Sequence, residues 1–155
     1  MRTKLQLKPV LFFVLVLLVG ILIGAYFFVD TRARDFVTLP QCSTNCFNTK
    51  ELGGLLVSVG IQKTPGLLPN VVEETDRTIA LKSPQPLATI DYLILPKKDI
   101  LDLGDISPDD AAYIADSFEV MADIIRANHL TDYRVIMNGP GFQQVRYLHF
   151  HLLAQ

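Results

Sequence analysis

The sequence predicts one mixed domain, several strands with one main helix, carried behind an N-terminal transmembrane helix. Three observations lead there. Val10 to Val29 is an unbroken stretch of 20 uncharged, mostly aliphatic and aromatic residues. At about 1.5 Å of rise per residue it spans a hydrocarbon core of about 30 Å. Ser107-Pro108-Asp109-Asp110 opens the clearest amphipathic helix. Short β-prone runs lie before and after that helix, and the last of them holds two of the three histidines.

At the N-terminal side of the apolar stretch stand Arg2, Lys4 and Lys8; Asp30, Arg32, Arg34 and Asp35 follow it and cancel. This asymmetry predicts a single-pass signal anchor, with residues 1–8 cytoplasmic, 9–30 in the membrane and the domain on the extracytoplasmic side. A cleavable signal peptide fits less well, since its apolar region is usually about 7–15 residues and ends at a small-residue cleavage site. Gly20 and Gly24 form a GxxxG that permits close helix–helix approach, although Gly is common in membrane helices for other reasons.

About 120 residues remain, enough for one domain with its own core. From Phe36 onward nine Lys or Arg face fourteen Asp or Glu, a net charge of −5. No basic stripe is present to track a phosphate backbone, which excludes nucleic acid as a partner. Cys42 and Cys46 are the only cysteines. In an oxidising compartment they can pair or remain two thiols, and a metal there needs two further ligands.

Residues 31–66 read as a linker, with a short helix around Lys50 to Val59 that its glycines weaken. Val71 to Leu81 reads as a hairpin around a polar turn. Ile90-Asp91-Tyr92-Leu93-Ile94-Leu95 is a strand stopped by Pro96. The helix begins with an N-cap serine, a proline at its first position and acids facing the positive dipole end. Ala111, Ile114, Ala115, Phe118, Met121, Ala122 and Ile125 recur at helical spacing, a face for packing on a sheet. Asn128-His129 ends the helix, with His129 at the surface near its negative terminus. Tyr133 to Asn138 is a further strand, and Asn138-Gly139-Pro140-Gly141 turns into the final one.

In that final run, Tyr147-Leu148-His149-Phe150-His151-Leu152, side chains alternate between faces. Tyr147, His149 and His151 share one side; Leu148, Phe150 and Leu152 share the other. Two imidazoles on one buried face need partners, which marks this strand as the place for chemistry. A neutral imidazole can attack phosphorus when a hydrogen bond fixes its other nitrogen. A turn containing Gly139 and Gly141 can aim backbone N–H groups at a phosphate, or can be an ordinary tight turn.

These segments in order (Asp91-Tyr92-Leu93-Ile94-Leu95-Pro96-Lys97-Lys98, the capped helix, Tyr133 to Gly139, then Gln143-Gln144-Val145-Arg146-Tyr147-Leu148-His149-Phe150-His151) resemble the histidine triad (HIT) family over residues 67–155. The resemblance implies an α+β fold, an antiparallel sheet of about five strands with helices on it, and a two-fold homodimer. It implies hydrolysis or transfer of nucleoside phosphate derivatives through a nucleotidyl-histidine that water resolves. His149 matches the nucleophile and His151 the histidine that binds phosphoryl oxygens. Asn138 and Gln144 match phosphate-contacting positions, with Gly139, Gly141, Gln143 and Tyr147 completing the expected substrate site. No cofactor and no metal are expected.

The triad is degenerate: Tyr147 replaces its first histidine, and Asp91 and Asp99 stand where two other histidines are usual. The ribose-gripping aspartate has no match, because Leu81-Lys82-Ser83 occupies that stretch. Asp91 and Asp99 with His149 and His151 also suggest a metal site, a reading ranked below phosphoryl chemistry. Three functions compete: a membrane-anchored HIT hydrolase or transferase, a relative of the CDP-diacylglycerol pyrophosphatases acting at the membrane, and a catalytically degenerate nucleotide-binding protein.

Overall fold

The computed structural model describes residues 7–37 and 46–155. The chain divides into two compact units at Asp30/Thr31. The first holds α1 (Leu7–Phe28), the one described helix long and apolar enough to cross a membrane. Its large apolar side chains stand exposed from Val10 to Phe28. A helix apolar on every side has the composition of a membrane span rather than of an amphipathic surface helix.

The second unit is an α+β fold around a five-stranded antiparallel sheet, in the order β1-β2-β3-β5-β4. Its strands are β1 (Val71–Glu74), β2 (Thr78–Lys82), β3 (Ile90–Pro96), β4 (Tyr133–Met137) and β5 (Phe150–Ala154), and its helices are α2 (Thr49–Lys63) and α3 (Ala111–Ala127). The expected hairpin, central strand, main helix and β4 are all present.

Strand alternation sorts the core into two layers. Tyr92, Ile94, Leu148, Phe150 and Leu152 pack with Val120, Met121 and Ile124 of α3. Ile79, Leu95 and Tyr147 lie in the second cluster with Ile61 of α2, joined by Leu81, Leu93 and Val57. Losing a side chain as enclosed as Ile94, which is 0% exposed, to Ala costs about 2–5 kcal/mol.

Three expectations are corrected. The buried stripe of α3 is Ser117, Val120, Met121 and Ile124; Ala111, Ala115 and Phe118 are exposed, the last against the Phe150 ring at 5.5 Å. Met121 is buried as expected and Ile114 and Ile125 pack at the edge of the core, while Ser117 tolerates burial because it makes its own internal bonds, to Tyr113 O and Thr78 Oγ1. Residues 31–66 hold the expected short helix, but it is longer than Lys50 to Val59 and packed into the domain. They carry α2, with Glu51, Gly54, Ser58 and Ile61 buried. Capping by the Asn48 side chain at Lys50 N and burial of Ile61 outweigh the glycines. Finally, β5 begins at Phe150, so Tyr147 and His149 precede the ladder. The N–H of Tyr147 goes to Val145 O and that of Leu148 to Ile100 O, while β4 ends at Met137 before the Gly-Pro turn.

Val37 bridges Phe47, and Cys46 beside it is disulfide-bonded. Cys42 lies outside the described residues.

Candidate active site

Register sets the site. In the β3–β5 ladder Leu93 faces His151 and Asp91 faces Leu153. In an antiparallel pair this makes Asp91 a same-face diagonal neighbour of His151. The His151 Nδ1–H donates to Asp91 Oδ1 at 3.0 Å and lies 3.3 Å from Oδ2. Asp91 also accepts Leu87 N–H at 2.9 Å. This carboxylate fixes the His151 ring and leaves Nε2 as its outward nitrogen.

His149 is held differently. Its Nδ1 lies 2.8 Å from the carbonyl oxygen of Tyr147. A carbonyl only accepts, so Nδ1 carries the proton and Nε2 keeps the lone pair. The rings of His149 and His151 are 5.2 Å apart, edge to face. Burial is the main cause that pushes the His149 pKa below its ordinary value; the His151 ring adds to this, against the opposing pull of the Tyr147 carbonyl and Asp91. A buried, neutral imidazole with a committed Nδ1 keeps the lone pair of Nε2 uncommitted to that bond.

The other expected residues divide. The β4–β5 ladder ends at Met137–Phe150, so Asn138 follows β4 directly and His149 directly precedes β5. Asn138 and Gly139 are half-buried, and Gly141 and Gln144 are exposed. Neither glycine has a positive φ, and a Cβ on either would meet nothing within 4 Å. The fold therefore leaves the space beside this turn open, and neither packing nor backbone conformation demands glycine there. Gly139 O accepts the N–H groups of Phe142 and Gln143 at 2.9 and 3.0 Å.

Tyr147 and Gln143 are not brought into the site. Tyr147 is 0% exposed, and its hydroxyl donates to Pro96 O at 2.5 Å, with Lys98 O at 3.1 Å. Burial is the main cause that pushes its phenol further above the ordinary range. Gln143 is buried, and its Nε2 donates to Leu101 O at 3.2 Å and Tyr147 O at 3.4 Å. Both brace the loop that carries His149.

Asp99 is also accounted for without a metal. Its Oδ1 pairs with Arg34 Nη2 at 2.5 Å and its Oδ2 accepts Arg32 N–H at 2.8 Å. Among the described residues no group of three or more His, Cys, Asp or Glu gathers as a metal site. The partnership of Asp91 with His151 was not anticipated from sequence; the register between two predicted strands was the signal that could have found it. Arg34 carried no sequence signal at all. An open groove of about 410 Å3, lined by Asp132, Arg134, Leu153 and Gln155 among others, contains neither histidine.

The HIT domain family matches residues 68–155, more than half of the chain and including both histidines. This chain belongs to the HIT family. An uncharacterised HIT-like protein of Chlamydia muridarum is 31% identical over 112 residues, covering 70% of this chain and 89% of the relative. An adenosine 5′-monophosphoramidase of Danio rerio is 26% identical over 124 residues, covering 74% of this chain and 78% of the relative. Among solved structures, a histidine triad protein from Clostridium difficile is 30% identical with a TM-score of 0.56, covering 63% of this chain and 89% of the other. A HIT family hydrolase from Legionella pneumophila is also 30% identical, with a TM-score of 0.55.

Proposed function

We propose that this HIT protein is a membrane-anchored hydrolase or transferase of nucleoside phosphate derivatives, working through a nucleotidyl group on His149. The observation that carries the reading is the 2.8 Å contact between His149 Nδ1 and Tyr147 O, which reserves Nε2 for attack. Nε2 bonds to the α-phosphorus as the bond to the leaving group breaks. The leaving group departs with the electron pair and takes a proton from solvent. Water then attacks the same phosphorus and gives up a proton to solvent, the P–N bond breaks, and the electron pair returns to the imidazole.

His151 Nε2, set by Asp91, meets a phosphoryl oxygen and donates to it when the ring is protonated. Asn138 and Gln144 supply further contacts, and the open space beside Gly139 and Gly141 admits the phosphate to the backbone. Similarity to an adenosine 5′-monophosphoramidase supports a nucleoside monophosphate joined to an amine as one substrate type. Tyr147 and Gln143 act from behind, holding the His149 loop. With no imidazole at position 147, the triad is degenerate and the protein itself supplies no first histidine to the leaving group.

The anchor is α1: residues 1–8 lie in the cytoplasm, 9–30 span the bilayer and the HIT domain works on the extracytoplasmic side, as the Arg2, Lys4 and Lys8 excess supports. The domain forms a two-fold homodimer, for which the exposed edge strand β4 and the outer face of α3 around Phe118 are the available surfaces. Incubation with nucleoside phosphoramidates, dinucleoside polyphosphates and CDP-diacylglycerol, a quench in alkaline denaturant that preserves the acid-labile P–N bond, and mass spectrometry test the chemistry. The expected result is an adduct on His149 that is absent from His149→Ala. Full activity in His149→Ala refutes the mechanism, CDP-diacylglycerol alone turning over identifies the lipid-facing enzyme, and binding without turnover identifies a binding protein. Protection of the domain from protease added to spheroplasts would reverse the topology.

A further inference from the structure

Arg34 lies well before the family match at 68–155, yet its side chain is 0% exposed. Nη1 donates to the Arg146 carbonyl at 2.6 Å and reaches Glu51 Oε2 at 3.3 Å, while Nη2 pairs with Asp99 Oδ1 at 2.5 Å. Gly54 keeps the space for this. A Cβ there would come within 2.3 Å of Arg146 O and 2.5 Å of Arg34 Nη1. Arg146 is held again by Asp102 at 2.9 Å, and its N–H donates to Lys50 O at 3.0 Å.

Burying a guanidinium costs several kcal/mol before pairing offsets it, so a segment that merely connected two units would leave this charge in water. The carbonyl that Arg34 grips belongs to the residue before Tyr147. The Tyr147 carbonyl, one peptide on, fixes the His149 tautomer. Gln143 Nε2 reaches the same carbonyl from the other side, at 3.4 Å.

We infer that Arg34 is a positioning residue for His149: the segment Thr31–Val37 clamps the Arg146–Tyr147 backbone and thereby keeps Tyr147 O on His149 Nδ1. The consequence for turnover rests on the nucleophile reading above; the consequence for the ring does not. Loss of the clamp frees the Tyr147 carbonyl to move, and His149 then populates the tautomer with its proton on Nε2, which cannot attack.

The test uses full-length protein in detergent with 15N-labelled histidine. Arg34→Met combined with Asp99→Asn removes both charges of that pair, and Glu51 keeps Arg146 Nη1 at 3.9 Å. Wild type should show His149 as a single tautomer protonated on Nδ1, and the double variant a mixture. kcat should fall about tenfold to a hundredfold with KM nearly unchanged, because Asn138, Gln144 and His151 are untouched. Arg34→Lys, which keeps the charge but loses the fork, should show a smaller tautomer change and decides the matter if the double variant does not fold. A lowered melting temperature with an unchanged His149 tautomer in the folded variants overturns the inference, as does a wild-type ring protonated on Nε2. A tautomer shift in a protein whose wild type has no turnover upholds the clamp and removes the nucleophile reading instead.

Discussion

His149 and Tyr147 are two residues apart and do opposite work, one offering a lone pair and the other spending its hydroxyl on the backbone. Because burial lowers the His149 pKa, the neutral form, the one the proposed attack needs, persists below the ordinary imidazole value of about 6.5. The acid limb of kcat/KM should therefore fall below pH of about 6.5 and steepen only as pH drops through the lowered pKa. The same shift makes the unfolded chain take the proton first, so stability also declines on acidification below that value. A pH–rate profile with its acid limb above 6.5 would contradict a depressed ring. Tyr147→Phe removes the donor that Pro96 O and Lys98 O share in the interior. It should cost about 1–3 kcal/mol in urea unfolding and lower turnover far less than His149→Ala. The alternation of Tyr147, His149 and His151 was legible in the sequence. What Tyr147 donates to was not, because its acceptors are backbone carbonyls about fifty residues away, which no spacing rule reports.

Helix α3 shows how far local chemistry can be read. The sequence starts it at Ser107-Pro108, but these residues cap a 3-10 turn, Pro108–Asp110, that leads into α3 at Ala111; Asp110 Oδ2 accepts both the N–H and the hydroxyl of Ser107, at 2.8 and 2.7 Å. Burial works against ionisation of Asp110, but Lys98 and Ser107 outweigh it and bring its pKa down to about 2. Its contribution is thus present above the ordinary value of 3.8 and is lost as pH falls from there towards about 2. The far end was also legible: Asn128-His129 closes the helix. His129 sits at φ 52°, with His129 N bonded to Arg126 O and Leu130 N to Ile125 O. This pair of bonds is the Schellman closure, which favours glycine at the left-handed position. His129→Gly should therefore raise stability by up to about 1 kcal/mol, read as a higher urea midpoint at constant slope. A lower midpoint would mean that the imidazole makes a contact worth more than the strain. The stripe of α3 that faces the sheet was legible in Ile114, Met121 and Ile125 but not in Ser117, which is polar by type and buried with Thr78 and Tyr113 O as its partners.

At the scale of the whole molecule, the family match and the folding unit do not share a boundary. The match begins at residue 68, while the compact unit begins at Thr31. Between them lie α2 and the Arg34 segment, whose role is long-range and so invisible to periodicity: Arg34 and Arg146 are 112 residues apart in sequence. Removing residues 31–67 would expose the cluster of Ile79, Leu95 and Tyr147 that Ile61 covers, and would strip Asp99 of both Arg34 and the Arg32 N–H. An uncompensated carboxylate in a buried position costs about 3–5 kcal/mol, comparable to the whole stability of a marginal domain. The fragment 31–155 should unfold in one cooperative transition in urea, whereas 68–155 should show none or a midpoint near zero denaturant. Equal midpoints for the two fragments would mean that the HIT core is self-sufficient and that α2 and Arg34 only rest on it. A large difference would make residues 31–67 part of the fold, so that a protease cut there would disable the domain.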